Sequence, residues 1–255
     1  MPFDTSIFLG VDLSGGFKPA TYAALGPNSR LLALGGGELE DVLAYIAGQR
    51  GVVMAVNAPS HTNAGLARQA EIRQSLPALR VAGRSLDLRL AEHKLRQHGI
   101  NVSMTPSRRE MCSSWVQVGF DFYRQIEKLG YLPFPTPDGN YQWLETHPHA
   151  SFCVLLGQAP MPRTNLEGRL QRQLILHEQG LGIRDPMDYF EEITRHKLLK
   201  GALPLEMIYS AEELDAISAA FVAFLAARQP DRVVKVGDPI EGQITLPVKE
   251  LKQKY

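Results

Sequence analysis

Four oxygen-bearing side chains stand where an α/β protein would place its chemistry. Asp12 closes the apolar run "IFLGVD" and Asn57 closes "VVMAVN"; Glu145 lies near the end of "YQWLET", and Asp215 sits in "ELDAISAAFVAFLAA". Open α/β sheets bind ligands beyond the carboxyl ends of their strands, where strand order switches. Asp12, Asn57 and Glu145 are predicted to fall there, each held rigidly by a packed strand. Asp215 shares a helix face with Ala219, Val222 and Ala226, so its helix can lie close against a sheet. Carboxylates gathered within a few ångströms repel, and one takes up a proton unless a cation sits among them. Such oxygen ligands suit Mg²⁺ or Mn²⁺. Two such ions can activate a water and stabilise the leaving oxygen of a phosphodiester. Taken singly, Asp12 could instead cap a turn by bonding the backbone of Ser14 or Gly15, and Glu145 could pair with an arginine.

Other residues carry weaker signals. In "ETHPH", Glu145, His147 and His149 are two apart, which on an extended strand is one face. Either histidine could be a ligand or a general base, although Pro148 interrupts a strand ladder. "DLSGG" is similar to the phosphate-binding turn of actin-like ATPases and sugar kinases, but no second "D-x-G" strand start follows. A nucleophile elbow, a Walker loop and a Cys-x-x-Cys pair are all absent from the sequence. Cys112 and Cys153 are expected to be inert core residues. Arg108 and Arg109, with Trp115 and Tyr123 nearby, could touch a nucleic-acid backbone; Arg163, Arg169 and Arg172 form a second basic group. A solvated helix surface is the simpler reading of both.

These side chains need a scaffold. Residues 6–12 form a near-continuous apolar run, as in a strand covered on both faces. Residues 21–26 and 30–37 look like two more strands, linked through Pro27-Asn28-Ser29 as a hairpin. Residues 38–49 are helical, with Leu39, Val42, Leu43 and Ile46 on one face, and 52–57 form a buried strand. The resulting β-β-β-α-β order lets three strands run as an antiparallel meander and a fourth return parallel to the first. Helices are predicted over 87–99, 113–130, 165–180, 186–200 and 210–228, the last opened by a Ser210/Glu213 capping box. "YQWLETHP" reads as a strand, and "RVVKVGD" and "GQITLP" as short edge strands. One α/β domain over residues 1–255 is the simplest account, with a helical insertion around 60–130 and further helices at 165–200.

Composition narrows the class of function. Lys+Arg and Asp+Glu balance at 27 each among 255 residues, so no overall positive field points to nucleic acid. The N-terminal segment lacks the layout of a signal peptide, no apolar run approaches ~20 residues, and with two cysteines a reducing cytoplasm is the expected setting.

The segments "FLGVDLSGG", "VVMAVNAPS", "RLAEHKLRQHGI", "WLETHPHASF", "ELDAISAAFVAFLAA" and "VGDPIEGQITLP" occur in the order seen in the DUF429 family. The chain resembles that family over nearly its whole length. The resemblance implies a predicted nuclease with a ribonuclease H-like fold, the β-β-β-α-β start agreeing with it. It implies that Asp12 is the first-strand acid and that Glu145 and Asp215 are the later ones. It also marks Arg89 and Glu92 as a family feature; alone they read as a partly exposed helix pair. The family usually carries Asp where this chain has Asn57, so a second cation is expected to bind more weakly. The resulting expectation is a Mg²⁺- or Mn²⁺-dependent nuclease or phosphodiesterase acting on nucleic acid or a phosphoester. A non-catalytic nucleic-acid-binding module and an actin-like phosphotransferase are the alternatives.

Overall fold

The structure, a computed structural model, describes residues 6–13, 19–76 and 88–255. Strand β1 (Ile7–Asp12) is buried at all but its first residue, as its unbroken apolar run requires. It pairs antiparallel with β2 (Ala20–Leu25), which pairs antiparallel with β3 (Leu31–Gly37). Helix α1 (Leu39–Ala47) buries Val42 and Ile46 and carries the chain to β4 (Val52–Asn57), parallel to β1. The expected β-β-β-α-β start is therefore present. The turn read from Ser14, Gly15 and Gly16 lies outside the described residues.

Between β4 and the next long strand come α2 (Ala70–Ser75), α3 (Leu90–Gln97) and α4 (Ser114–Lys128). They occupy the segment expected to be a helical insertion. The two-residue β5 (Leu132–Pro133) and the longer β6 (Tyr141–Thr146) follow, with β6 parallel to β4. Helix α5 (Pro148–Leu156) starts immediately after β6. Pro148 there is a helix starter rather than a ladder break, its fixed φ being suited to the first turn. Helix α6 (Leu166–Glu178) matches expectation. The helix expected at 186–200 is instead two short ones, α7 (Asp188–Glu192) and α8 (Arg195–Leu199). Helix α9 (Ala211–Arg228) opens on the predicted capping box, with Ser210 Oγ accepting from the Glu213 N–H at 3.1 Å. Strands β7 (Val234–Asp238) and β8 (Gly242–Leu246) close the chain.

The sheet runs β3-β2-β1-β4-β6-β8-β7, with β5 also pairing β6. Strands β1, β4, β6 and β8 are mutually parallel, and β7 is antiparallel to β8. Only β7 of the last two is an edge strand, because β8 lies between β6 and β7. One sheet face packs on α9 through Phe8, Ala55 and Leu144; the other packs on α1 and α4 through Leu9, Val11, Met54, Val56 and Trp143. Helix α9 is buried almost all round, so its apolar residues form a core element rather than one stripe. None of the helices among the described residues is long and apolar enough to cross a membrane.

Candidate active site

Asp12 and Asn57 are the last residues of β1 and β4, and the parallel register sets them side by side. Both are buried, and the Asn57 amide Nδ2 donates to Asp12 Oδ1 at 2.6 Å. The pleat turns Asp12 to the same side as Phe8 and Gly10, toward α9. Gly10 is what lets α9 come close. A Cβ there would lie 2.0 Å from the Ala216 carbonyl oxygen and 2.2 Å from the Ala220 nitrogen. Helix and strand backbones therefore touch at Gly10, and Asp215, one residue before Ala216, is delivered to the neighbourhood of Asp12.

The electrostatics record that approach. Burial first, and then the Asp12 charge, push the Asp215 carboxyl up to about 8. Arg163 Nη1 lies 2.9 Å from Asp215 Oδ2 and pulls the other way. It does not win, because its side chain is 36% exposed and is shared with Glu212 at 3.2 Å. Asp12 and Asn57 are thus hydrogen-bonded neighbours, and Asp215 lies near enough to feel the Asp12 charge.

Glu145 is placed differently. Its Cα partner on β4 is Val56, not Asn57, so the pleat turns it toward the α1/α4 face, away from Asp12. There it takes the arginine pairing that was the alternative reading. Arg89 grips it with Nη2–Oε1 at 2.6 Å and Nη1–Oε2 at 3.1 Å, and Ser60 donates to Oε2 from both N–H and Oγ at 2.9 Å. Glu92 holds the other side of Arg89 at 2.8 Å and accepts from the Thr105 backbone and hydroxyl. Burial alone would lower the Arg89 pKa; the Glu145 and Glu92 charges overcome it and raise it. Arg89 and Glu92 are 1% and 2% exposed, which corrects the expectation of a partly exposed helix pair. Glu241, missed from sequence, completes the knot: its two carboxylate oxygens accept from the backbone N–H groups of Leu66 and Leu90.

The histidines do not share an extended face. His147 caps α5 and its Nδ1 accepts from the Ala150 N–H at 3.3 Å, while His149 lies inside the first turn. Burial, and next His149, lower His147 to about 4; burial and then Arg172 lower His149. His147 is therefore a neutral group at neutral pH. Both line a cleft of about 250 Å³ with Asn57, Ser103, Trp115, Arg163, Arg172 and Asp215. The model described as "Protein of unknown function (DUF429)" matches residues 10–241. The chain belongs to the DUF429 family. No curated protein and no solved structure matches it.

In this DUF429 protein the basic groups also divide. Arg109 is spent on Asp121 at 2.7 Å, Arg124 pairs with the same carboxylate, and Tyr123 is buried with its hydroxyl on the Ala58 carbonyl. Arg169 donates to the Tyr209 and Ile208 carbonyls. Arg163 and Arg172 belong to the cleft instead. Cys112 and Cys153 are free and buried, and burial raises both thiols, Cys153 to about 11, as expected of unreactive core residues.

Proposed function

We propose that this DUF429 protein hydrolyses a phosphoester in the cleft beside Asp12 and Asp215, on a ribonuclease H-like sheet. The observation that carries the reading is the forced approach of two buried carboxylates at a parallel strand end, beside two arginines. The meander β1–β3, with β4 and β6 added parallel on the other side of β1, supports the ribonuclease H-like assignment.

The donor set fits one hard divalent cation. A buried carboxylate whose proton affinity is raised by burial and by a neighbouring carboxylate is relieved by a cation, and the oxygens of the two suit Mg²⁺ or Mn²⁺. Among the described residues no group of three or more His, Cys, Asp or Glu side chains is gathered for a metal. Asp12 and Asp215 would hold the ion, with the Asn57 carbonyl as a neutral ligand, and Glu145 would not. The ion would lower the pKa of a bound water and offset charge on the phosphoryl oxygens. Arg163 orients Asp215, and the arginines of the cleft receive the phosphate. His147, held neutral, and His149, whose proton affinity burial and Arg172 lower, supply N–H donors or a proton acceptor at the cleft wall.

A non-catalytic binding module is favoured by a separate fact, the commitment of Glu145 to Arg89. One experiment separates the two. DNA, RNA and a small phosphodiester are incubated with Mg²⁺, Mn²⁺ or EDTA, using wild type, Asp12→Asn and Asp215→Asn. The hydrolase reading expects metal-dependent turnover that falls at least about a hundredfold in either variant. Turnover that survives Asp12→Asn removes this site from the chemistry. Saturable nucleic-acid binding without turnover selects the binding module.

A further inference from the structure

Arg172 is 2% exposed, and no carboxylate among the described residues lies within ion-pairing distance of it. Its Nη1 donates to the carbonyls of Met161 at 2.7 Å and Gly168 at 3.0 Å. Its guanidinium carbon lies 5.3 Å from the centre of the Phe152 ring, and its Nε has no hydrogen-bond partner. A guanidinium removed from water without an anion is costly, and carbonyl dipoles offset only part of that cost. The arrangement is nonetheless tightly built. A Cβ at Gly168 would lie 1.9 Å from the Pro162 carbonyl oxygen, so the segment before α6 is folded directly onto that helix. This contact holds the acceptors of Arg172 in place and sets Arg163 at the same cleft.

The cleft therefore contains one arginine shared between Glu212 and Asp215 and one, Arg172, that feels the Asp215 charge but has no carboxylate within ion-pairing distance. A guanidinium presents a planar fork of N–H donors that matches a tetrahedral oxyanion. We propose that the cleft between α5, α6 and α9 is an anion site for a phosphate group, with Arg172 as its buried anchor and Arg163 as a second contact. The inference rests on the hydrolase reading only for the identity of the anion as the substrate's phosphate. Arg172 is a binding residue in it. The phosphate is either the bridging group of a diester or a terminal monoester, and both present the same oxygens to the fork.

The test measures binding without turnover. Full-length protein in EDTA is titrated calorimetrically with inorganic phosphate and, separately, with dimethyl phosphate. Wild type should bind at least one saturably in the millimolar range or tighter, and Arg172→Gln should weaken it at least tenfold. Tighter binding of inorganic phosphate assigns a terminal monoester; tighter binding of dimethyl phosphate assigns a bridging diester. If Arg172→Gln does not fold, Arg172→Lys and Arg163→Gln take its place, each expected to weaken binding at least threefold. Failure of wild type to bind either probe up to 50 mM overturns the inference, as does wild-type affinity in the arginine variants. Saturable phosphate binding by wild type, weakened in the arginine variants and combined with no hydrolysis of any substrate by wild type, leaves the anion site standing and removes the hydrolase reading.

Discussion

Replacing Asp215 by Asn should change how the stability of the chain depends on pH. In an unfolded chain an aspartate titrates near 3.9, whereas Asp215 in the fold titrates at about 8. Between those values the folded chain holds one more proton than the unfolded chain at this residue. Stability therefore falls as pH rises through the window and levels off once pH passes the folded value. The slope is about 1.4 kcal/mol per pH unit. From pH 5 to pH 8, allowing for half-titration at the upper end, the loss owed to Asp215 is roughly 3–4 kcal/mol. The groups that set the value are Asp12 and Glu212, which raise it, and Arg163 and Arg172, which lower it. All of them stay in the Asp215→Asn variant, and the amide oxygen can still accept from Arg163. Urea unfolding of both proteins at pH 5, 6, 7 and 8 gives the comparison directly. The difference in stability, variant minus wild type, should rise by roughly 3–4 kcal/mol across the series. Saturating Mg²⁺ should flatten the wild-type slope, because a cation at Asp12 and Asp215 favours the charged carboxyl. Parallel curves for the two proteins would show that Asp215 is not held protonated by Asp12 and burial, and the paired-carboxylate site would lose its basis.

Other changes probe the same construction. Gly10→Ala puts a methyl group against the Ala216 and Ala220 backbone, which no rotamer can relieve; a cost of about 3 kcal/mol, or a Tm lower by about 6–12 °C, is expected by calorimetry, and an unchanged Tm would contradict the backbone contact. Arg89→Met strands Glu145 and Glu92 as buried charges and should cost about 3–5 kcal/mol in urea unfolding, part of it recovered by adding Glu145→Gln; full additivity of the two changes would refute the pairing. Asn57→Asp puts a third carboxylate where an amide now donates to Asp12 at 2.6 Å. It should lower stability in EDTA and tighten Mg²⁺ binding at least about tenfold by titration, and no change in affinity would place Asn57 outside the site.

The strand ends were legible because an unbroken apolar run terminated by one polar residue has few other meanings. Asp12 and Asn57 stand at the final positions of β1 and β4. Glu145 was legible as a strand-end acid but not as to its face. Facing depends on register, and the partnership of Glu145 with Val56 rather than Asn57 turns it over. The alternation that would have revealed this is hidden because β6 carries apolar residues on both sides, Trp143 to one and Leu144 to the other. Arg172 looked like a solvated helix cation because its burial comes from a remote segment, at Met161 and Pro162, folding over Gly168. The glycine itself was the available signal, since Gly inside a helix is disfavoured unless something approaches closely. The pair His147 and His149 was misjudged for a local reason: a proline after a strand can end a ladder or begin a helix, and here it begins α5.

In the hydrolase reading, the same geometry bears on how many cations the site would take. A two-ion centre needs enough carboxylates to neutralise both ions, and the fold brings Asp12 of the sheet and Asp215 of α9 together on one face while Arg89 holds Glu145 on the other. Asn57 fits the smaller count, because its amide donates to Asp12, which an aspartate there could do only when protonated. Positive charge is instead built into the protein. Arg163 reaches Asp215, and Arg172 lines the same cleft with no carboxylate in ion-pairing distance. Fixed guanidinium groups can do part of what a second ion does, stabilising phosphoryl oxygens as charge develops on them, and they need no third acid to hold them. In the hydrolase reading, the amide at Asn57, the pairing of Glu145 with Arg89 and the burial of Arg172 are then three parts of one arrangement, in which arginines supply charge that a second cation would otherwise bring.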